Sequence, residues 1–104
     1  MSFRDIDDPK AIHAAMAEFD RLGQAGFLEK YGFHKAREYL LRDGATGRLY
    51  DSKAIVGAAH GYAFPERGPL TPKDFCGGRT TVAALLDGLG FEVVRVRGGR
   101  GATR

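Results

Sequence analysis

The sequence predicts an α+β domain in which a small three-stranded antiparallel sheet packs with about four helices, in the order α-α-β-β-α-(turn)-α-β. Three observations carry this prediction. Apolar residues recur three and four positions apart in several segments, two β-rich runs flank a short loop with glycine near each end, and a third β-rich run follows the last helical segment. A length of 104 residues supports one core, so we expect a single head-type domain over residues 1–96 and a flexible Arg/Gly tail or linker over residues 97–104.

The first two predicted helices lie between Asp8 and Gly32. The pair Asp8-Pro9 is typical of a helix start, because aspartate can cap and proline fits the first helical position. The apolar stripe of the first helix ends at Gly23 and consists of Ile12, Ala15, Met16, Phe19 and Leu22. A second helical segment over residues 25–31 adds Phe27, Leu28 and Tyr31 to the core and ends at Gly32.

The middle of the chain predicts a hairpin followed by a third helix. Residues 37–42 and 48–51 form the strands, and the loop over residues 43–47 joins them. The third helix begins at Asp51 or Ser52, either of which can cap it, and ends near Tyr62. Gly57 within this helix permits the close approach of a neighbouring segment.

The remainder predicts a loop, a last helix and a last strand. Residues 63–78 are rich in proline and glycine, and Thr71-Pro72-Lys73-Asp74 has the pattern of a capping box around a single helical turn. The last helix is expected over residues 79–89, with Gly90 as its stop. Residues 91–96 then complete the sheet with the hairpin.

Composition excludes several classes of protein. No apolar run is long enough to span a bilayer, the first residues do not have the pattern of a signal peptide, and a single cysteine cannot staple the fold. The sequence therefore predicts a cytoplasmic domain with no membrane association.

Charge is distributed unevenly along the chain. The formal net charge is +3, but residues 1–29 carry a net charge of −3 and residues 30–104 a net charge of +6. This asymmetry favours a polyanionic partner, although a solvated basic surface would give the same pattern.

The residues typical of metal sites and of nucleophilic catalysis are scattered. His13, His34, His60 and Cys76 occur singly, so the sequence predicts no metal site and no cofactor. Cys76 and His60 flank the same loop and could form a thiol–imidazole pair, but a lone cysteine of this kind is more often a small buried hydrophobe. A magnesium nuclease built on Asp43, Asp51 and Lys53 is the less favoured enzymatic alternative, because Asp51 can be a helix cap and Asp43 can open a turn.

Two predicted helix starts are candidates for contact with phosphate. A helix start presents unpaired N–H groups and a partial positive charge, and basic or hydroxyl side chains add further donors. The first choices are Ser52 and Lys53 at one start, and Arg79 and Thr80 at the other. The basic residues that would extend this surface are Arg48, Arg67 and Lys73.

The sequence leaves two alternative roles for the aromatic residues Tyr62 and Phe64. Tyr50 is expected in the core, whereas Tyr62 and Phe64 could stack on bases. The segment Tyr62–Phe64, together with the acidic first helix, could instead dock a partner subunit or a second copy of the chain. A protein-interaction or dimerisation module is therefore the alternative to a DNA-binding module.

Three strings carry a family resemblance. These are YDSKAIVGAAHGY at residues 50–62, LTPKDFCGG at residues 70–78 and LLDGLGFEVV at residues 85–94. From about Phe33 to Val94 the chain resembles the N-terminal head domain of ScoMcrA-like restriction endonucleases, which are modification-dependent (type IV) enzymes that cut phosphorothioated or methylated DNA. The resemblance implies a non-catalytic, DNA-directed accessory role in restriction or phage defence, with an HNH nuclease in a following domain.

Overall fold

A computed structural model describes residues 5–36, 39–75 and 81–95. The elements are helix α1 (Pro9–Tyr31), strands β1 (Tyr39–Arg42) and β2 (Leu49–Asp51), helix α2 (Ser52–Ala63), a 3-10 turn (Pro72–Asp74), helix α3 (Val82–Gly88) and strand β3 (Glu92–Arg95). The predicted α+β class and the three-stranded antiparallel sheet are confirmed. Residues 37–38, Cys76, Gly77, Gly78, Arg79, Thr80 and the predicted tail lie outside the described residues, so the predicted domain limits stay predictions.

Helix α1 contains the first two predicted helices, joined across a kink. The carboxylate of Asp8 accepts a hydrogen bond from the N–H of Lys10 at 2.9 Å, as expected of a cap. At Gly23 the backbone leaves the helical region (φ 81°, ψ 161°), and Gly32 ends the helix in the left-handed conformation (φ 78°). The predicted glycine stops are thus confirmed. The prediction that Leu22 belongs to the buried stripe is wrong: its side chain is 39% exposed, beside the kink.

The sheet has the strand order β2-β1-β3, and both pairs are antiparallel. The loop between β1 and β2 closes as predicted. The N–H of Asp43 donates to the carbonyl of Arg48 at 2.9 Å, its carbonyl accepts from the N–H of Gly47 at 2.7 Å, and its carboxylate accepts from the N–H of Ala45 at 2.9 Å. Leu41 and Tyr50 are paired across the two strands. Both are at most 2% exposed, so the inner face of the hairpin belongs to the core, as expected for Tyr50.

Helix α2 is the most enclosed element of the domain. Every residue from Ala54 to His60 is buried, and Ile55, Val56 and Ala59 are fully inaccessible to solvent. Small residues make this burial compatible with close packing of neighbouring segments. A Cβ atom at Gly57 would lie 2.6 Å from Cζ of Phe33 and 2.9 Å from the carbonyl oxygen of Leu70, so the close approach predicted at Gly57 is confirmed.

Residues 64–75, which we call the return segment, run back along one face of α2. Three contacts hold them there: Nδ1 of His60 lies 2.8 Å from the carbonyl oxygen of Gly68, the N–H of Leu70 donates to the carbonyl of Gly57 at 3.0 Å, and Nζ of Lys53 donates to the carbonyl of Pro72 at 3.0 Å. The three contacting residues of α2, at positions 60, 57 and 53, lie on one face of the helix. Their partners in the return segment, at positions 68, 70 and 72, are spaced two residues apart, as expected for extended chain.

The last helix is shorter than the sequence predicts. It begins at Val82, with Thr81 as its N-cap residue, rather than at Arg79. Its end matches the prediction, because Gly90 has a positive φ of 93° and the N–H of Phe91 donates to the carbonyl of Leu86 at 2.9 Å. No helix within the described ranges is long and apolar enough to cross a membrane.

We predict that Gly57→Ala destabilises the domain by about 1–3 kcal/mol, because the new methyl group would overlap the ring of Phe33 and the backbone of Leu70. The measurement is the free energy of unfolding in urea. Gly26→Ala is the matched control in α1, since a Cβ atom there meets only Cβ of Leu22 at 3.6 Å. This control should be neutral or stabilising by up to about 1 kcal/mol. Equal effects of the two substitutions would contradict the described packing.

Candidate nucleic-acid interface

The first turn of α2 is closed to solvent. Ser52 and Asp51 are each 3% exposed and Ala54 is 1% exposed. The hydroxyl of Ser52 donates to the carbonyl of Tyr39 at 2.7 Å, so it ties α2 to β1. The expectation of an exposed helix start is therefore wrong at α2, and the hydroxyl of Ser52 is engaged within the domain.

Asp51 stands at the N-cap position of α2, but its carboxylate does not cap the helix. One oxygen accepts from Nε2 of Gln24 in α1 at 2.8 Å, and the other accepts from the N–H of Ala36 at 2.8 Å. The carboxylate thus connects three segments that are distant in sequence. The predicted capping role of this side chain is wrong, because partners elsewhere in the fold compete successfully for it.

Lys53 is the residue of this turn that reaches the surface. Its ammonium group donates to the carbonyl of Pro72 at 3.0 Å and lies 5.3 Å from the centroid of the Phe75 ring. An ammonium group has three donors, so the contact with Pro72 leaves two for an external acceptor. Lys53 has no carboxylate partner among the described residues, and it holds the end of the return segment in place.

Lys73 follows Pro72 directly, so its backbone lies close to this ammonium group. Its side chain is exposed. The carboxylate of the next residue, Asp74, accepts from the N–H of Thr71 at 2.7 Å and from its hydroxyl at 3.0 Å, which confirms the predicted turn. These bonds hold the pKa of the Asp74 carboxyl below its ordinary value. The structure thus places the backbone of Lys73 close to the ammonium group of Lys53.

The other predicted basic residues do not join this pair. Arg67 is exposed at the opposite end of the return segment, where its N–H donates to the carbonyl of Phe64. The guanidinium of Arg48 contacts the carboxylate of Asp20 in α1 at 3.1 Å. Arg79 and Thr80 fall outside the described residues, so their part in the site stays a prediction.

Asp20 also accepts the hydroxyl of Tyr50 at 3.0 Å. Burial, together with this hydrogen bond, raises the pKa of Tyr50 to about 12. The Arg48–Asp20–Tyr50 cluster therefore fastens the hairpin to α1. This is a structural use of Arg48 that its position beside the predicted loop did not indicate.

A buried carboxylate that the sequence analysis assigned to no role lies at the centre of the helices. Glu18 is 1% exposed and forms an ion pair with Lys30, on the other side of the α1 kink. Its Oε1 accepts the hydroxyl of Tyr31 at 2.5 Å and that of Tyr62, in α2, at 2.9 Å. The sequence did contain a signal for the burial of Glu18, because position 18 lies on the same helical face as the apolar positions 11, 15 and 22.

The protonation states within this cluster follow from its contacts. Burial alone would raise the pKa of the Glu18 carboxyl, but the hydrogen bonds from Lys30, Tyr31 and Tyr62 outweigh it and hold the pKa below its ordinary value. Burial and the contact with Glu18 raise the pKa values of Tyr31 and Tyr62. The carboxylate is thus ionised at neutral pH while both phenols keep their protons.

His60 is buried against the return segment. With Nδ1 facing the carbonyl of Gly68, Nε2 has no hydrogen-bond partner among the described residues. The ring of Phe64 packs beside it, with centroids 5.0 Å apart. The pairing with Cys76, which the sequence analysis did not favour, stays untested because Cys76 lies outside the described residues.

The residues of the predicted nuclease alternative do not converge. Asp43 closes the hairpin loop, whereas Asp51 pairs with Leu40 at the other end of the strands. Both oxygens of Asp51 are already occupied by Gln24 and Ala36. Within the part of the chain that the structure describes, no three His, Cys, Asp or Glu side chains are grouped as metal ligands.

Comparisons with known proteins place this arrangement in a family. The family profile described as the ScoMcrA-like N-terminal head domain matches residues 4–95. The chain belongs to the ScoMcrA-like head domain family. The head domain is also similar to the structure of the Type IV phosphorothioation-dependent restriction endonuclease ScoMcrA, with 37% identity and a TM-score of 0.58 over 84% of this chain. It spans 12% of the length of that enzyme. A search of curated proteins returns no match.

We predict that Glu18→Gln lowers the stability of the head domain at neutral pH by about 1–3 kcal/mol, since three donors lose a charged acceptor. A carboxyl group whose pKa is lowered on folding stabilises the fold above its unfolded pKa of about 4.3, and this contribution disappears as pH falls through the folded pKa. The stability difference between wild type and Glu18→Gln should therefore narrow in acid.

The measurement is urea unfolding over a series of pH values. Glu29→Gln, which neutralises an exposed acid of the same helix, serves as the control and should change stability by less than about 0.5 kcal/mol. A difference between wild type and Glu18→Gln that stays constant with pH would show that the charge of Glu18 does not stabilise the fold.

Proposed function

We propose that this head domain is a non-catalytic accessory module of a restriction or phage-defence enzyme, and that it binds the phosphate backbone of DNA through Lys53 and Lys73. Family membership supports the accessory role. The similarity to an enzyme described as a phosphorothioation-dependent restriction endonuclease supports DNA as the ligand.

The observation that carries the proposal is the position of the Lys53 ammonium group, 3.0 Å from the carbonyl oxygen of Pro72, the residue that precedes the exposed Lys73. Two cations carried by neighbouring parts of the surface suit neighbouring phosphate groups of one DNA backbone. Neither lysine forms an ion pair within the described residues. Because Lys53 is also fixed against Pro72 and Phe75, part of the entropic cost of ordering its side chain has already been met in the free domain.

The proposed surface differs in one respect from the sequence prediction. Its donors are side chains rather than the helix start of α2, because that turn is buried and the hydroxyl of Ser52 is engaged with Tyr39. Arg67 lies at the other end of the return segment and is not part of this surface, whereas Arg79 and Thr80 remain candidates on the chain that follows Phe75. Arg48 contributes less, since Asp20 already neutralises it.

Contacts with phosphate carry no sequence information by themselves. In the proposed role the module adds affinity for DNA, while recognition of a modification and cleavage belong to other parts of such an enzyme. This division agrees with the small share of the related enzyme that the chain spans.

We predict salt-dependent DNA binding that Lys73→Gln and Lys53→Gln weaken. The slope of log K against log salt should be about −2 to −3 for wild type, because each neutralised phosphate contributes roughly −0.9. Each substitution should make the slope shallower by roughly 1, equally for DNA duplexes of different sequence. The measurement is fluorescence anisotropy with labelled duplexes at several salt concentrations.

The matched control is Arg42→Gln, which makes the same change in net charge on the sheet, where Arg42 contacts Glu92 at 3.4 Å. Exposed pairs of this kind contribute little to stability, so the domain stays folded. Binding by Arg42→Gln should equal that of wild type. A wild-type slope of zero, or equal losses in Lys73→Gln and Arg42→Gln, would end the proposal.

A further inference from the structure

Tyr62 forms an exposed aromatic ridge at the end of α2 opposite to Lys53. The two residues are nine positions apart, which is about 14 Å along the helix and half a turn around it. The side chain of Tyr62 is 44% exposed, yet its hydroxyl is anchored to Oε1 of the buried Glu18 at 2.9 Å. A ring held in this way loses little entropy when a partner packs against it.

One side of this ridge is an apolar groove of about 310 Å³, which we call the proline groove. The residues that line it include Tyr31, Ala58, Gly61, Tyr62, Pro65 and Pro69. A Cβ atom at Gly61 would lie 2.9 Å from the backbone nitrogen of Pro69, so glycine is what lets the return segment form the far wall this close to α2. Grooves lined by aromatic side chains bind the rings of extended proline-containing segments.

The other side of the ridge is a groove of about 400 Å³ at the start of α1, which we call the acidic groove. Asp7, Asp8 and Lys10 line it together with Tyr62 and Phe64. The carboxylate of Asp8 accepts from the N–H of Lys10 and stays exposed, and Asp7 is exposed as well. Two carboxylates and one ammonium group give a net negative charge, which attracts a cation and repels phosphate.

We propose that the two grooves together bind an extended segment of a partner protein that carries proline and a basic side chain. The proline rings pack between Tyr62 and Pro69, and the basic side chain enters the acidic groove beside Asp7. Such segments adopt the polyproline II conformation, whose repeat of three residues per turn aligns prolines along one edge and basic side chains along another, so that the two edges can occupy the two grooves. The charge of the acidic groove is what favours this partner over a single-stranded nucleic acid at Tyr62.

This surface is separate from the proposed DNA surface at Lys53 and Lys73, so the head domain could hold DNA and a partner protein at once. The inference does not depend on DNA binding. A domain that fails to bind duplex DNA can still bind the peptide, and the two proposals are tested by different variants.

The test is fluorescence anisotropy with labelled synthetic peptides of repeated Pro-Pro-Arg and repeated Pro-Pro-Glu, and with a thymidine oligonucleotide. The Pro-Pro-Arg peptide should bind more tightly than the other two probes. Asp7→Asn should weaken its binding about two- to fivefold, whereas Asp87→Asn, which neutralises an exposed acid on α3, should leave it unchanged.

The ring of Tyr62 is tested by comparing Tyr62→Leu with Tyr62→Phe, because both lose the hydroxyl that contacts Glu18 and only the first loses the ring. The leucine variant should bind the Pro-Pro-Arg peptide at least about fivefold more weakly than the phenylalanine variant. Unfolding midpoints show whether both variants stay folded. Light scattering on the free domain shows whether the ridge is instead covered by a second copy of the chain.

Three results would overturn the proposal. The first is equal binding of the arginine and glutamate peptides. The second is equal binding of the Pro-Pro-Arg peptide by Tyr62→Leu and Tyr62→Phe. The third is binding of the oligonucleotide, or association into a dimer, that depends on Tyr62 while the Pro-Pro-Arg peptide does not bind.

Discussion

The attachment of the return segment to α2 determines where each candidate surface of this domain lies. His60, Gly57 and Lys53 contact residues 68, 70 and 72 in turn, and glycine at 57 and 61 lets the two backbones approach. This places the backbone of Lys73 near the ammonium group of Lys53 at one end of α2 and sets Pro65 and Pro69 opposite Tyr62 at the other. Without the attachment, neither the pair of cations nor the proline groove would form.

The buried acids Glu18 and Asp51 hold the elements of the domain together. Glu18 joins both halves of the kinked α1 to α2, and Asp51 joins α1, the segment before β1 and the start of α2. Each carboxylate is removed from water, and several hydrogen bonds offset the free-energy cost of that desolvation. Because Asp51 is fully engaged in this way, its side chain holds the fold together, whereas the ammonium group of Lys53 donates one hydrogen bond, to Pro72, among the described residues.

The sequence predicted features that depend on neighbours along the chain. The cap at Asp8, the glycine stops at 23, 32 and 90, the hairpin loop and the turn at Thr71 all follow local rules. Prediction from the sequence failed where residues that are distant in the chain compete for the hydrogen bonds of one side chain. Glu18 finds Tyr62 44 positions away, and Asp51 binds Gln24 rather than the start of its own helix. Likewise Ser52 turns inward to Tyr39, an outcome that no local pattern encodes.

The measurement that tests this account most directly is the mapping of backbone amide chemical shifts by NMR during titration of the domain with a DNA duplex. The account predicts changes concentrated at Lys53 and Lys73, weaker changes along the rest of the return segment, and none at Asp7 or in the hairpin loop. Changes centred on the hairpin loop or on the acidic groove, or no changes at any concentration of DNA, would contradict it.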